Sequence, residues 1–156
     1  MARKVLEVAI QAAGRDKGKV FRITEMPASK AERWAARSLA ALLSSGVDVP
    51  EGLLRAGAAA LAHFGITVFA RMDFDAAQPL LDEMMECVEI KPDPSKPVYR
   101  RLIEDDIEEL ATRFRLRAEV FQLILGFSIP DDLSTSLREM ASGVREAFLT
   151  PISETP

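Results

Sequence analysis

Lys4-Val5-Leu6-Glu7-Val8-Ala9-Ile10, then Gly14-Arg15-Asp16-Lys17-Gly18, then Lys19-Val20-Phe21-Arg22-Ile23-Thr24-Glu25 is the stretch whose reading decides the fold. In the first arm Val5, Glu7, Ala9 and Gln11 alternate with Leu6, Val8 and Ile10; in the second, Phe21 and Ile23 alternate with Arg22 and Thr24. Period two with β-branched and aromatic residues predicts two half-buried strands. Gly14 and Gly18 are able to take φ > 0, and Asp16 can fold its carboxylate onto nearby backbone N–H groups, so the connection suits a hairpin loop. A lone hairpin is marginal in water, so this one has to pack on helices or pair with another sheet edge.

The chain beyond it reads as helix. Pro27 closes the second strand, and Ser29-Lys30-Ala31-Glu32 has the pattern of a capping box that starts a helix near Lys30. Ala31, Trp34, Ala35, Ser38, Leu39 and Leu42 fall on one face of it, and Ser44-Ser45-Gly46 ends it. Val49-Pro50-Glu51 opens a second helix with Leu53, Leu54, Ala58, Leu61 and Ala62 on its apolar side and Gly65 as its cap. A third is expected from Asp73 or Asp75 through Leu80, Leu81, Met84, Met85 and Val88, with Pro79 in its first turn. Lys91-Pro92-Asp93-Pro94-Ser95-Lys96-Pro97 is a semi-rigid surface connector.

The longest helix is expected over about Leu102 to Phe127, where Ile103, Ile107, Leu110, Phe114, Ala118, Phe121 and Leu125 make one apolar seam. Leu116, Val120, Leu123 and Phe127 add a second stripe, so the C-terminal half of this helix needs burial from two directions or a partner. Leu133, Leu137, Met140, Val144 and Phe148 mark a weaker amphipathic segment over 131–148, and 150–156 carries no pattern. The fold expected is therefore mainly α, an N-terminal β-hairpin over 4–25 followed by a bundle of about four to five helices, α+β in the loose sense. One domain spans 1–128, with a C-terminal helix and flexible tail over 129–156.

The 156 residues suffice for one buried core, and a net charge of −4 gives no global positive field for non-specific nucleic-acid binding. Cys87 is the only cysteine, so no intramolecular disulfide forms and a reducing compartment is the natural setting. The N-terminal run lacks a signal-peptide core, and the weakly polar run 57–70 is shorter than the ~20 apolar residues of a membrane span.

Each chemistry-bearing group also has a structural explanation. His63 is the sole histidine, which excludes a histidine-rich metal cluster, and Cys87 would need a nearby base to act as a nucleophile while that histidine falls in a different element. The acidic run Glu104, Asp105, Asp106, Glu108 and Glu109 has the carboxylate density of a Mg²⁺ site, but negative charge at a helix start is favoured by the dipole alone. Arg113, Arg115 and Arg117, with Arg100 and Arg101 upstream, would meet phosphates only if they shared a face, and Arg115 does not. Gly14 and Gly18 lack the GK[ST] ending of a phosphate loop. No catalytic residue, metal or cofactor follows from these patterns.

The run from Gly14 to Pro27, followed by Ala31-Glu32-Arg33-Trp34-Ala35, resembles tail assembly chaperones encoded among the tail genes of long-tailed, siphovirus-like bacteriophages and prophages. Phe74-Asp75-Ala76-Ala77-Gln78-Pro79-Leu80-Leu81-Asp82-Glu83 and Leu116-Arg117-Ala118-Glu119-Val120-Phe121 extend the resemblance to about Ser128. It implies a non-enzymatic helical protein of the bacterial host's cytoplasm that holds the tape measure protein, recruits tail tube protein around it and is absent from the mature virion. It brings no cofactor, metal, nucleic-acid or membrane partner. The residues expected to meet the partner are Leu116, Val120, Leu123 and Phe127, and the hairpin edge would allow a homo-oligomer. Two other classes fit the same features, a minor structural (head-tail completion or tail) protein of the particle and a small helical DNA-binding regulator.

Overall fold

The computed structural model describes residues 2–49, 51–52 and 66–125. The hairpin forms where alternation placed it, with β1 (Val5–Ala9) antiparallel to β2 (Val20–Thr24) in the register Leu6↔Ile23 and Val8↔Phe21. Gly18, at φ +86°, donates its N–H to the Ile10 carbonyl at 2.8 Å, while Ile10 donates to the Lys19 carbonyl at 3.0 Å. Two residues thus face one, a bulge that ends the ladder and needs the glycine.

The loosely α+β layout expected is present, but the fold is mixed α+β rather than a helical bundle with a hairpin attached, because the hairpin is half of a four-stranded antiparallel sheet ordered β1-β2-β3-β4. Strand β3 (Val88–Lys91) pairs with β2 through Phe21↔Ile90 and Ile23↔Val88, and β4 (Arg100–Arg101) pairs with β3. Val88 and Ile90 turn inward and Glu89 and Lys91 outward, the period of a strand rather than the end of a helix. The proline-rich connector is the turn that brings β4 back beside β3.

Helix α1 spans Ala28–Ser44 and buries Trp34, Ser38 and Leu42, the face read from its periodicity. Its start differs from expectation. The Ala31 N–H reaches the Pro27 carbonyl at 2.9 Å, so the first turn closes on Pro27 and Ser29 lies inside it; no side-chain cap forms. A 3₁₀ turn over Ile66–Arg71 leads to α2 (Phe74–Met85), where Pro79 sits beyond the first turn and removes one i→i−4 bond. Glu51 and Gly52, where the second helix is expected to open, are helical; the rest of that helix to Gly65, His63 and everything from Gly126 onward lie outside the described residues.

The long helix expected from Leu102 is also shorter than read. A 3₁₀ turn at Glu104–Asp106 and an extended Ile107 precede α3 (Leu110–Leu125). Asp106 Oδ2 accepts the Ile103 N–H at 2.7 Å, closing that turn locally and breaking the helix run before it begins.

One core results. Val8, Phe21, Ile23, Val88 and Ile90 from the sheet meet Trp34 and Leu42 of α1, Leu80 and Met84 of α2, and Leu116 and Val120 of α3. Trp34 is fully buried and donates its Nε1–H to the Leu80 carbonyl at 3.1 Å. Its ring meets Phe69 and Phe121, with centroids 5.9 and 6.2 Å away, and Phe69 meets Phe121 edge to face. No helix of the described residues is long and apolar enough to cross a membrane.

Candidate functional site

Two features of the surface stand out, a charged groove and an apolar seam beside it. The groove lies between the end of β2, the start of α1, the end of α2 and the connector to α3, and encloses about 810 Å³. Met26, Met85, Leu102 and Ile107 supply its apolar lining. Much of its charge is already paired: Arg22 grips Glu89 through Nε and Nη2 at 2.9 and 2.6 Å, and Lys30 meets Glu86 at 2.7 Å. Arg101 and Arg113 line it too, and among the described residues their side chains enter no hydrogen bond or ion pair.

Cys87 borders the groove without the character of a nucleophile. It is half-buried, its Sγ faces the Glu83 carbonyl at 3.9 Å, and burial pushes its thiol up to about 11, which the Lys30 charge only partly offsets.

Three carboxylates of the acidic run upstream of α3, Asp106, Glu108 and Glu109, are paired with cations of this chain. Arg100 holds Asp106 through two bonds of 2.7 and 2.8 Å, Lys19 meets Glu108 at 2.8 Å, and Arg15 meets Glu109 at 3.0 Å. At its centre stands Asp16, 1% exposed, whose carboxylate receives the Glu108 and Glu109 N–H groups at 3.0 and 2.9 Å and the Lys19 ammonium at 2.8 Å. Burial alone would raise the Asp16 carboxyl, yet Lys19, the Glu108 N–H, the Thr112 hydroxyl and the Glu109 N–H together hold it well below the usual carboxylate range. Among the described residues no three His, Cys, Asp or Glu side chains converge as a metal site.

The seam belongs to α3. Its C-terminal half is spent on the core through Phe121 and Leu125, but Leu110 is 65% and Phe114 57% exposed, and Ile103 just before the helix is 63% exposed. The four residues expected to meet a partner stand elsewhere: Leu116, Val120 and Leu123 are buried in the core, and Phe127 lies outside the described residues. Leu116, Val120 and Leu123 of the stripe that looked surplus are the residues that pack, while the N-terminal half of the first seam is left in solvent. A docking role for Leu116, Val120 and Leu123 would require the core to open.

Arg113 and Arg117 flank the open half, each three residues from Leu110 or Phe114 and one turn from each other. Arg117 is half-buried and its Nε lies in the interior with no hydrogen-bond acceptor. Desolvation and the neighbouring Arg113 charge press its guanidinium below its ordinary value, with Asp82 of α2 the opposing charge. Asp82 itself accepts a hydrogen bond from Gln78 at 2.9 Å.

Against family models, curated proteins and solved structures, the chain finds no match.

Proposed function

We propose that this chain is a phage tail assembly chaperone, a non-enzymatic holder of the tape measure protein that helps bring tail tube subunits to it in the host cytoplasm. The observation that supports the reading best is the α3 seam, one apolar ridge whose inner half anchors the helix in the core and whose outer half presents Leu110 and Phe114 to solvent. A holder of another chain's helices needs a rigid ridge of this kind. The resemblance of the Gly14–Pro27 run adds to it, and its residues have clear duties: Asp16 and Lys19 lock the loop to α3, while Phe21, Ile23 and Met26 fill the core.

The same reading includes self-assembly through β1. Ile10 and Lys4 direct their backbone groups to β2, so by antiparallel alternation Val5, Glu7 and Ala9 direct theirs to the free edge. On the outer face of the sheet Tyr99 packs against Arg22, 4.1 Å from ring centre to guanidinium carbon, and donates its hydroxyl hydrogen to Glu7.

Co-expression with the long tape measure gene of the same tail cluster tests the proposal. The tape measure protein is expected to become soluble and to co-purify with this chain, and purified virions are expected to lack the chain. No complex and no gain in solubility would overturn it, and persistence in virions would favour a minor structural protein of the particle.

A further inference from the structure

We propose that the open half of the α3 seam docks an amphipathic helix of a partner protein, one whose flank carries carboxylates that Arg113 and Arg117 receive. Identifying that partner with the tape measure protein rests on the functional reading above; the docking chemistry does not.

The shape of the surface selects a helix. Leu110 and Phe114 stand one turn apart and form a ridge in line with Phe121 and Leu125, the kind of i±4 row that seats in the groove of a second helix. A strand or extended segment would need backbone partners, and the interior of an α-helix has none to give. The ridge is exposed although Trp34, Phe69 and Phe121 pack tightly beneath its continuation, so it is a rigid platform rather than a loosened end of the core.

The charge selects carboxylates. Two guanidinium groups one turn apart repel each other, and Asp82, the charge that opposes the Arg117 guanidinium, is already shared with Gln78. An acidic side chain entering alongside the apolar contact would offset that repulsion, and Arg–carboxylate geometry favours two parallel bonds. The same charges argue against a second copy as occupant: a two-fold contact through this face would set Arg113 and Arg117 near their own counterparts.

The test places p-benzoylphenylalanine at position 114 of the full chain, in cells that co-express the tail genes, and identifies the cross-linked peptide by mass spectrometry. Phe114 is exposed, so the substitution leaves the core intact. The expected product joins position 114 to a helical, carboxylate-bearing segment of another protein. The pair of changes Arg113→Glu and Arg117→Glu is expected to cut the cross-linking yield about tenfold, whereas Arg113→Lys and Arg117→Lys retain most of it. A cross-link to a second copy or to residues 126–156 of the same chain, no cross-link, or a yield indifferent to the charge reversal overturns the inference. A cross-link to an acidic helix of a protein other than the tape measure protein upholds the docking surface and sinks the functional identification instead.

Discussion

Asp16 and Glu109 stand 93 positions apart, yet the Glu109 N–H donates to Asp16 Oδ2 at 2.9 Å. With the Glu108 N–H on Oδ1, the hairpin loop supplies acceptors for the backbone N–H groups that lead into α3. Arg15 reinforces the junction by donating to the Glu108 carbonyl at 2.6 Å, and Lys19 does so by donating to the Asp106 carbonyl at 3.0 Å. The loop is thus a clamp on the entrance to the longest connection between sheet and helices.

Removing the clamp is expected to destabilise the whole protein. Asp16→Ala leaves two backbone N–H groups and the Lys19 ammonium without their shared acceptor, at a cost of about 3 kcal/mol. Asp16→Asn is expected to lose less, since one amide oxygen still accepts. Urea denaturation followed by circular dichroism reads both, and a midpoint unmoved by Asp16→Ala would rule the clamp out. The pH dependence has a definite sign. The folded carboxyl is held below its unfolded value of about 3.9, so between the two values the unfolded chain binds more protons. Stability from Asp16 is present above about pH 5 and falls as the solution is acidified below it, and the Asp16→Asn variant should show a shallower acid slope.

The single tryptophan offers a direct report on the core. Trp34→Phe keeps much of the ring volume but strips the donor from the Leu80 carbonyl, at a cost of about 1–3 kcal/mol. In the parent protein its emission should be blue-shifted and resist iodide quenching until urea unfolds the chain. Free access of iodide to Trp34 under native conditions would contradict the packing of α1 against α2 and α3.

How much of this was legible follows from the range of each signal. The hairpin and the buried face of α1 were readable because Leu6, Val8, Phe21 and Ile23, or Trp34, Ser38 and Leu42, declare their period within a few residues. Val88-Glu89-Ile90-Lys91 is too short to outweigh the helix pattern before it, and Arg100–Arg101 is a strand only by pairing with β3. The start of α3 was unreadable locally because its acceptor is Asp16, far back in the chain; the one hint was a five-carboxylate run, two of whose members, Glu108 and Glu109, pair with Lys19 and Arg15. Two apolar stripes on one helix looked alike in sequence. Only tertiary packing decides that Leu116 and Val120 are core and that Leu110 and Phe114 are not.

Cys87 should react slowly. Burial raises its thiol to about 11, so at pH 8 its thiolate is scarcer than that of a free cysteine with a pKa of about 8.5. Modification by a disulfide reagent at pH 8 is expected to lag well behind that of the urea-unfolded chain, and the gap should narrow as pH approaches 11. Native and unfolded rates that coincide at pH 8 would show that the thiol is neither shielded nor shifted.

The strongest electrostatic coupling in the molecule should lie between Asp16 and Lys19. Their 2.8 Å contact joins a carboxylate that is 1% exposed to an ammonium that is 25% exposed, unlike the more open Lys30 and Glu86 pair. Burial alone would lower the Lys19 ammonium, but Asp16 and Glu108 raise it above its ordinary value. Its contribution is therefore complete below the unfolded lysine value of about 10.4 and is lost as pH climbs through the higher folded value, the mirror image of the acid limb set by Asp16. A double-mutant cycle with Asp16→Asn and Lys19→Met should return a coupling of about 1–3 kcal/mol at neutral pH, against about 0.5 kcal/mol for the Lys30 and Glu86 pair. Lys19→Met alone should cost more than Asp16→Asn/Lys19→Met implies by addition, because it leaves a buried carboxylate facing only N–H and hydroxyl donors. Equal coupling at the two pairs, measured by urea denaturation in the same buffer, would mean that the loop is held by its backbone hydrogen bonds and that the charge pair adds little.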